Sequence, residues 1–302
     1  MIVMNDCNEY IFIKHIVVDA HVKENHTDIE MEKIIHSGYG TVYLSGRFAV
    51  KCCAAASDEV VNLKYEYELL RSLAPHESII KVYRFDEDDQ LTTRITMERL
   101  DRTLRDLLFV LGPAGRAEKV AESLIRSIEY IHGRGIVHGD LKPDNMGFKL
   151  SNPNQVVLFD FGLAAECGEQ QVCCGTYAYM PPEMLRSTKM LIARKETDMW
   201  SVGCILWEIF CGELLWRNDS RQSILTEIFT RQHVHLHPRI PLRWSVVIQL
   251  LLNTQWRLRP SAAALLSTPL FVNDKTLIGS SGSIPVLGGY HFARFGGPCY
   301  RM

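Results

Sequence analysis

Hydrophobic positions fall in short runs through the first hundred residues and at helical steps through most of the rest. From Asp28 to Cys53 the pattern is strand-like: Ile29, Met31 and Lys33 alternate, then come Thr41-Val42-Tyr43-Leu44 and Phe48-Ala49-Val50. Ser45-Gly46-Arg47 joins the last two runs and predicts a tight hairpin. Ser57 is placed to cap a helix carrying Val60, Leu63, Tyr67 and Leu70. Two more strand-like runs follow, from Ile79 to Phe85 and from Leu91 to Met97. Beyond Arg99 the spacing predicts helices over 117–132, 198–211 and 243–254, with a shorter one over 261–267. In the first, Val120, Leu124, Ile128 and Ile131 form one apolar stripe. A strand-rich front joined near Glu98 to Leu100 to a helix-rich rear predicts an α+β chain of two lobes with a cleft between them.

The ends are less informative. Residues 1–27 mix apolar positions with Lys14, His15, Asp19 and Lys23 and read as an extension. Residues 273–302, rich in Gly and Ser, read as a flexible tail in which Tyr290, Phe292 and Phe295 are candidates for docking. No internal repeat occurs at solenoid spacing.

Composition narrows the function classes. The 302 residues are 47% hydrophobic and 23% charged, which suits a globular chain with a large core. A net charge of -2 gives no general electrostatic reason for nucleic acid or an acidic membrane as partner. The apolar stretch Ser201 to Trp216 is too short to span a bilayer and holds Glu208 and Glu213, so it reads as a buried core helix. Nine cysteines, none in a paired C-x-x-C zinc arrangement, are expected to be reduced thiols of an intracellular protein. The N-terminus has no basic region leading into an apolar core, so no secretory signal is expected.

Four groups of residues carry chemistry, and they occur in a telling order. Ser37-Gly38-Tyr39-Gly40-Thr41-Val42 lies between two strands, where bare backbone amides can approach phosphate oxygens. Phe48-Ala49-Val50-Lys51 ends an apolar strand on a cation suited to phosphate. Val137-His138-Gly139-Asp140-Leu141-Lys142-Pro143-Asp144-Asn145 gathers an acid, a lysine and an amide on one loop. Leu158-Phe159-Asp160-Phe161-Gly162 ends an apolar strand on a carboxylate suited to Mg²⁺. Any one of the first two alone is an ordinary turn or strand end.

Together these motifs resemble the eukaryotic protein kinase family over about residues 28–272. The resemblance implies a bilobal kinase fold with an N-lobe about 28–97, a hinge about 98–100 and a C-lobe about 101–272. It also implies ATP with Mg²⁺ (Mn²⁺ as the alternative) and protein substrates, in the cytoplasm or nucleus, of a host cell if the source is viral. A viral or protist source suits the short connections. No nucleic acid or membrane partner is expected, and oligomeric state is open.

Residue by residue, the resemblance makes Asp140 the catalytic base, Lys142 its companion, and Asn145 and Asp160 the metal ligands. Lys51 becomes the lysine on the α- and β-phosphates. Glu66 is its expected ion-pair partner, with Glu68 the rival and Glu59 a distant third. Ser37, Gly38, Gly40, Val42 and Ala49 enclose the nucleotide. Met97 stands at the gatekeeper position, and Glu98 to Leu100 offer backbone hydrogen bonds to adenine. Tyr179-Met180-Pro181-Pro182-Glu183 ends the activation segment. Glu183 is expected to pair with Arg259, and Asp198 to brace the catalytic loop. Lys142, with Thr176 bridging it to the base, is the serine/threonine pattern.

Some positions depart from the family. Ile35 and Ser37 replace two glycines of the Gly-rich loop. Gly147 stands where a large apolar residue lies beneath adenine, with Met146 or Phe148 as candidate compensators. Gly139 replaces the arginine that receives an activation-loop phosphate, and the stretch from Leu163 to Cys174 holds no Ser, Thr or Tyr to be phosphorylated. These two absences predict a kinase that needs no phosphorylation there. The alternative from another class is a pseudokinase, a binding module or scaffold on the same fold.

Overall fold

The computed structural model describes residues 33–37, 40–54, 59–87, 92–111, 114–171, 173–187, 189–217, 220–230, 237–268 and 271. The front lobe is built on β1 (Lys33–Ser37), β2 (Gly40–Ser45), β3 (Phe48–Ala54), α1 (Glu59–Leu73), β4 (Val82–Glu87) and β5 (Thr92–Glu98). Its five strands form an antiparallel sheet in the order β1-β2-β3-β5-β4. The predicted hairpin is present, with Gly46 at φ +50° between Ser45 and Phe48.

Side chains alternate along the strands, and that places the chemistry. On β3 the inward face carries Ala49, Lys51 and Cys53; on β5 it carries Thr93, Ile95 and Met97. A lysine is therefore turned into the protein by strand parity alone. On α1 the buried positions are Leu63, Glu66, Leu69, Leu70 and Leu73, a helical stripe that includes one acid. Ser57, the expected cap, lies outside the described residues.

The rear lobe follows as β6 (Arg102–Thr103), α2 (Leu104–Leu107), α3 (Ala114–Gly133), β7 (Ile136–Val137), β8 (Met146–Lys149), β9 (Asn152–Leu158), β10 (Ala165–Glu166) and β11 (Gln170–Gln171). After these come α4 (Pro182–Leu185), β12 (Leu191–Ile192), α5 (Lys195–Cys211), α6 (Arg221–Thr230), α7 (Leu242–Leu251) and α8 (Ala262–Leu266). Ser261 caps α8, its hydroxyl accepting from the Ala264 N–H. Helix α5 is buried along nearly its whole length, as an apolar run within a helical lobe must be. Among the described residues, no helix is long and apolar enough to cross a membrane.

The expected strand from Ile79 begins later, at Val82. Ile79 instead makes an isolated parallel bridge to Leu158, and Ile80 N–H and Leu158 N–H exchange bonds with Leu158 and Ser78 carbonyls. These bonds tie the loop after α1 to β9, the strand that leads into Asp160.

Candidate active site

Three elements meet at Lys51. Its Nζ lies 2.8 Å from Glu66 Oε2 on α1 and 2.7 Å from Asp160 Oδ1 after β9. Burial works against the ammonium, but the Asp160 and Glu66 carboxylates outweigh it and raise the Lys51 pKa above the usual lysine range. Burial pushes Glu66 up, against the pull of Lys51. Burial also disfavours the Asp160 carboxylate, but Lys51 overrides it and holds Asp160 below the usual range. Asp160 has φ +61°, a conformation most side chains avoid, so the backbone there is held by its surroundings. Glu66 contributes to that hold, accepting the Phe161 N–H at 3.1 Å. Glu68, the rival, faces solvent, and the Glu59 side chain lies outside the described residues.

Asp140 is buried on the loop between β7 and β8 and receives four hydrogen bonds on its carboxylate. Its Oδ1 accepts from Thr176 N–H (3.0 Å) and Thr176 Oγ1 (3.2 Å); its Oδ2 accepts from Lys142 Nζ (2.7 Å) and Asn145 Nδ2 (3.2 Å). Lys142 also donates to Thr176 Oγ1 at 3.1 Å, closing a triangle of acid, lysine and threonine. Asn145 donates further to the Asp140 carbonyl at 2.9 Å, so both of its bonds to Asp140 are made by the amide nitrogen and neither uses the side-chain oxygen. Asp198 braces the loop from below, accepting from His138 N–H (2.8 Å) and Gly139 N–H (3.1 Å).

The nucleotide-facing side is described in part. Ser37 and Gly40 pair across the β1–β2 turn, Val42 stands opposite Lys51, and Ala49 stands opposite Met97; Gly38 lies outside the described residues. Glu98 N–H donates to the Lys81 carbonyl and Arg99 N–H to the Arg47 carbonyl, whereas Leu100 N–H donates to no backbone carbonyl among the described residues.

Gly147 has a compensator that differs from both expected ones. Met146 and Phe148 flank it on β8 and so point to the opposite face, where both are buried in the core. The space above Gly147 is taken by Leu100: a Cβ at position 147 would stand 2.6 Å from Leu100 Cδ1.

Several supporting residues were not found by sequence reasoning. Arg105 on α2 binds Asp144 of the catalytic loop (3.0 Å), the Tyr179 hydroxyl (2.6 Å) and buried Glu208 on α5, and Tyr179 donates to Glu208 at 2.6 Å. A signal existed. Glu208 is an acid inside an apolar helical run, and such an acid needs a buried partner. His132 at the end of α3 adds a third contact to Asp198, at 2.9 Å. The expected pair of Glu183 and Arg259 is present and doubly bonded, at 2.6 and 2.8 Å.

The model of the protein kinase domain matches residues 13–271. This chain belongs to the protein kinase family. The kinase is 30% identical to the serine/threonine-protein kinase RAD53 of Saccharomyces cerevisiae over 178 residues, 54% of this chain and 22% of that one. It is 31% identical to myosin light chain kinase A of Dictyostelium discoideum over 214 residues, 65% of this chain and 70% of the relative. It is also 31% identical to the cGMP-dependent protein kinase of Eimeria tenella over 215 residues, 67% of this chain and 21% of that one. The matched segments thus span about a fifth of RAD53 and of the Eimeria kinase.

Proposed function

We propose that this kinase moves the γ-phosphate of ATP to serine and threonine hydroxyls of protein substrates. The observation that carries the reading is the triangle of Asp140, Lys142 and Thr176, with Asp160 held by Lys51 on its other side. Asp140 is positioned to orient the attacking hydroxyl and to take its proton. Lys142, already against Asp140, offsets charge on the phosphoryl group in transit. Lys51 is kept cationic by its two carboxylates and suits the α- and β-phosphates. The serine/threonine-protein kinase RAD53 among the relatives supports this substrate class.

The donor set fits a divalent metal that arrives with its nucleotide. Asp160 and Asn145 present hard oxygen atoms, and no group of three or more His, Cys, Asp or Glu among the described residues forms a metal cage of its own. Mg²⁺ suits a site of one or two protein oxygens completed by phosphates. When bound, the metal neutralises charge on the phosphates. Leu100 N–H is the hinge donor left for adenine, and Leu100's side chain provides the apolar floor in place of residue 147.

The deciding experiment follows labelled phosphate from ATP to a generic protein substrate, in wild type and Asp140→Asn. Transfer by wild type that falls at least ~100-fold in the variant supports the proposal. Equal signal from both, or none from wild type with Mg²⁺ or Mn²⁺, refutes it and leaves a binding module.

A further inference from the structure

Gly139 stands immediately before Asp140, at φ +81°, in a hollow that admits no side chain. A Cβ there would lie 2.1 Å from the side-chain nitrogen of Gln171 and 2.6 Å from the Leu163 carbonyl. Gln171 is buried, and its Nε2 donates to that carbonyl at 2.8 Å. Its backbone belongs to β11, which pairs with β12 opposite Leu191. One neutral amide thus joins the strand that carries it, ahead of Thr176, to two other stretches of chain, the residue before Asp140 and the turn after Asp160.

The rest of the segment is tied down by uncharged contacts as well. Ala165 pairs with Val137, Cys167 N–H donates to Gly135, and Gly168 N–H donates to Ala193. Between Gly162 and Gly175 there is no hydroxyl to carry a phosphate.

We infer that Gln171 is a positioning residue that locks this segment, and with it Thr176, onto the catalytic loop without any phosphorylation. The inference rests on the role proposed for Asp140. The link is made by an amide, so no modifying enzyme is needed to create it and no phosphatase can remove it. Position 139 favours glycine because of its φ of +81° and the Leu163 carbonyl 2.6 Å from where a Cβ would stand, and the Gln171 amide lies in the space so left.

The test compares wild type with Gln171→Ala and Gln171→Met. Methionine keeps the bulk over Gly139 but lacks the N–H, so it isolates the hydrogen bond and serves if the alanine variant does not fold. The expected result is a kcat lower by ~10-fold or more in both, with KM for ATP changed less than ~2-fold and Tm of the methionine variant near wild type. Phosphatase-treated wild type should keep its full activity. Wild-type kcat in both variants, or loss of activity on phosphatase treatment, overturns the inference. If wild type transfers no phosphate, the proposed function fails on its own. Hydrogen exchange of amides 163–171 then decides: faster exchange in Gln171→Met supports the lock, and unchanged exchange overturns it.

Discussion

The Leu100 side chain occupies the space that a side chain on Gly147 would need, with Cδ1 2.6 Å from the position of the missing Cβ. The two positions therefore act as one. Gly147→Leu alone should overpack the site, destabilise the protein by about 1–3 kcal/mol and raise KM for ATP. Adding Leu100→Ala should recover part of both losses, since the Arg102 carbonyl still stands 3.0 Å from a Cβ at position 147. A double-mutant cycle in stability and KM measures the coupling, and additive effects would contradict the shared space.

Thr176 donates to Asp140 through both its N–H and its hydroxyl, and it also receives Lys142. Thr176→Ser keeps the hydroxyl and should retain most of kcat. Thr176→Ala should lower kcat roughly 10-fold or more, consistent with a lost positioning contact of about 1.5 kcal/mol or greater. Steady-state kinetics at saturating ATP makes the comparison.

Acid should act on the Lys51 cluster in a defined order. Glu66 is pushed up by burial, so as pH falls it takes a proton before Asp160, which Lys51 holds below the usual range. For Asp160 the sign is the ordinary one: stability from its pairing is present above about pH 4, its unfolded value, and is lost as pH falls through the lower folded value. For Glu66 the sign is reversed, because the folded protein binds that proton more readily. The acid limb of kcat/KM for ATP should therefore contain a step above the ordinary glutamate range, and Glu66→Gln should abolish it. Retention of the step in the variant would assign it elsewhere.

Arg259 has a fully buried side chain and two bonds to Glu183. Removing one member of such a pair leaves a charge uncompensated, at a cost of about 3–5 kcal/mol. Arg259→Ala should lower Tm by on the order of 10 °C. The exposed pair of Arg126 and Glu122 is the control: Arg126→Ala should cost less than ~1 kcal/mol. Thermal melts of both variants test the contrast.

Much of this architecture is legible in the sequence because period and parity survive burial. The strand carrying Lys51, the stripe around Val120 and Leu124, and the helix through Trp200 all lie where their spacing predicts. Helix α6 was missed because only Ile224 and Ile228 are buried on it, too sparse a stripe to register. The two-residue strands from β10 to β12 were also missed, since they exist only through long-range pairing. Glu66 was found at the right spacing, and burial on α1 now separates it from Glu68. The packing of Leu100 over Gly147 and of Gln171 over Gly139 was beyond reach for one reason: each side chain lies in the space beside a glycine far away in the chain, and a hollow leaves no mark in a linear pattern.

The bonds between the loop after α1 and β9 give that helix a fulcrum. Ile80 and Leu158 are joined there, and Tyr130 holds the Leu73 carbonyl at 2.6 Å, so the C-terminal end of α1 is moored to the larger lobe. Glu66 lies about 10 Å up the helix from that mooring at 1.5 Å per residue. A tilt of about 10° around it would carry Glu66 roughly 2 Å sideways, enough to break a 2.8 Å contact with Lys51. The helix is a lever, and a small rotation at its foot is a large excursion at the ion pair.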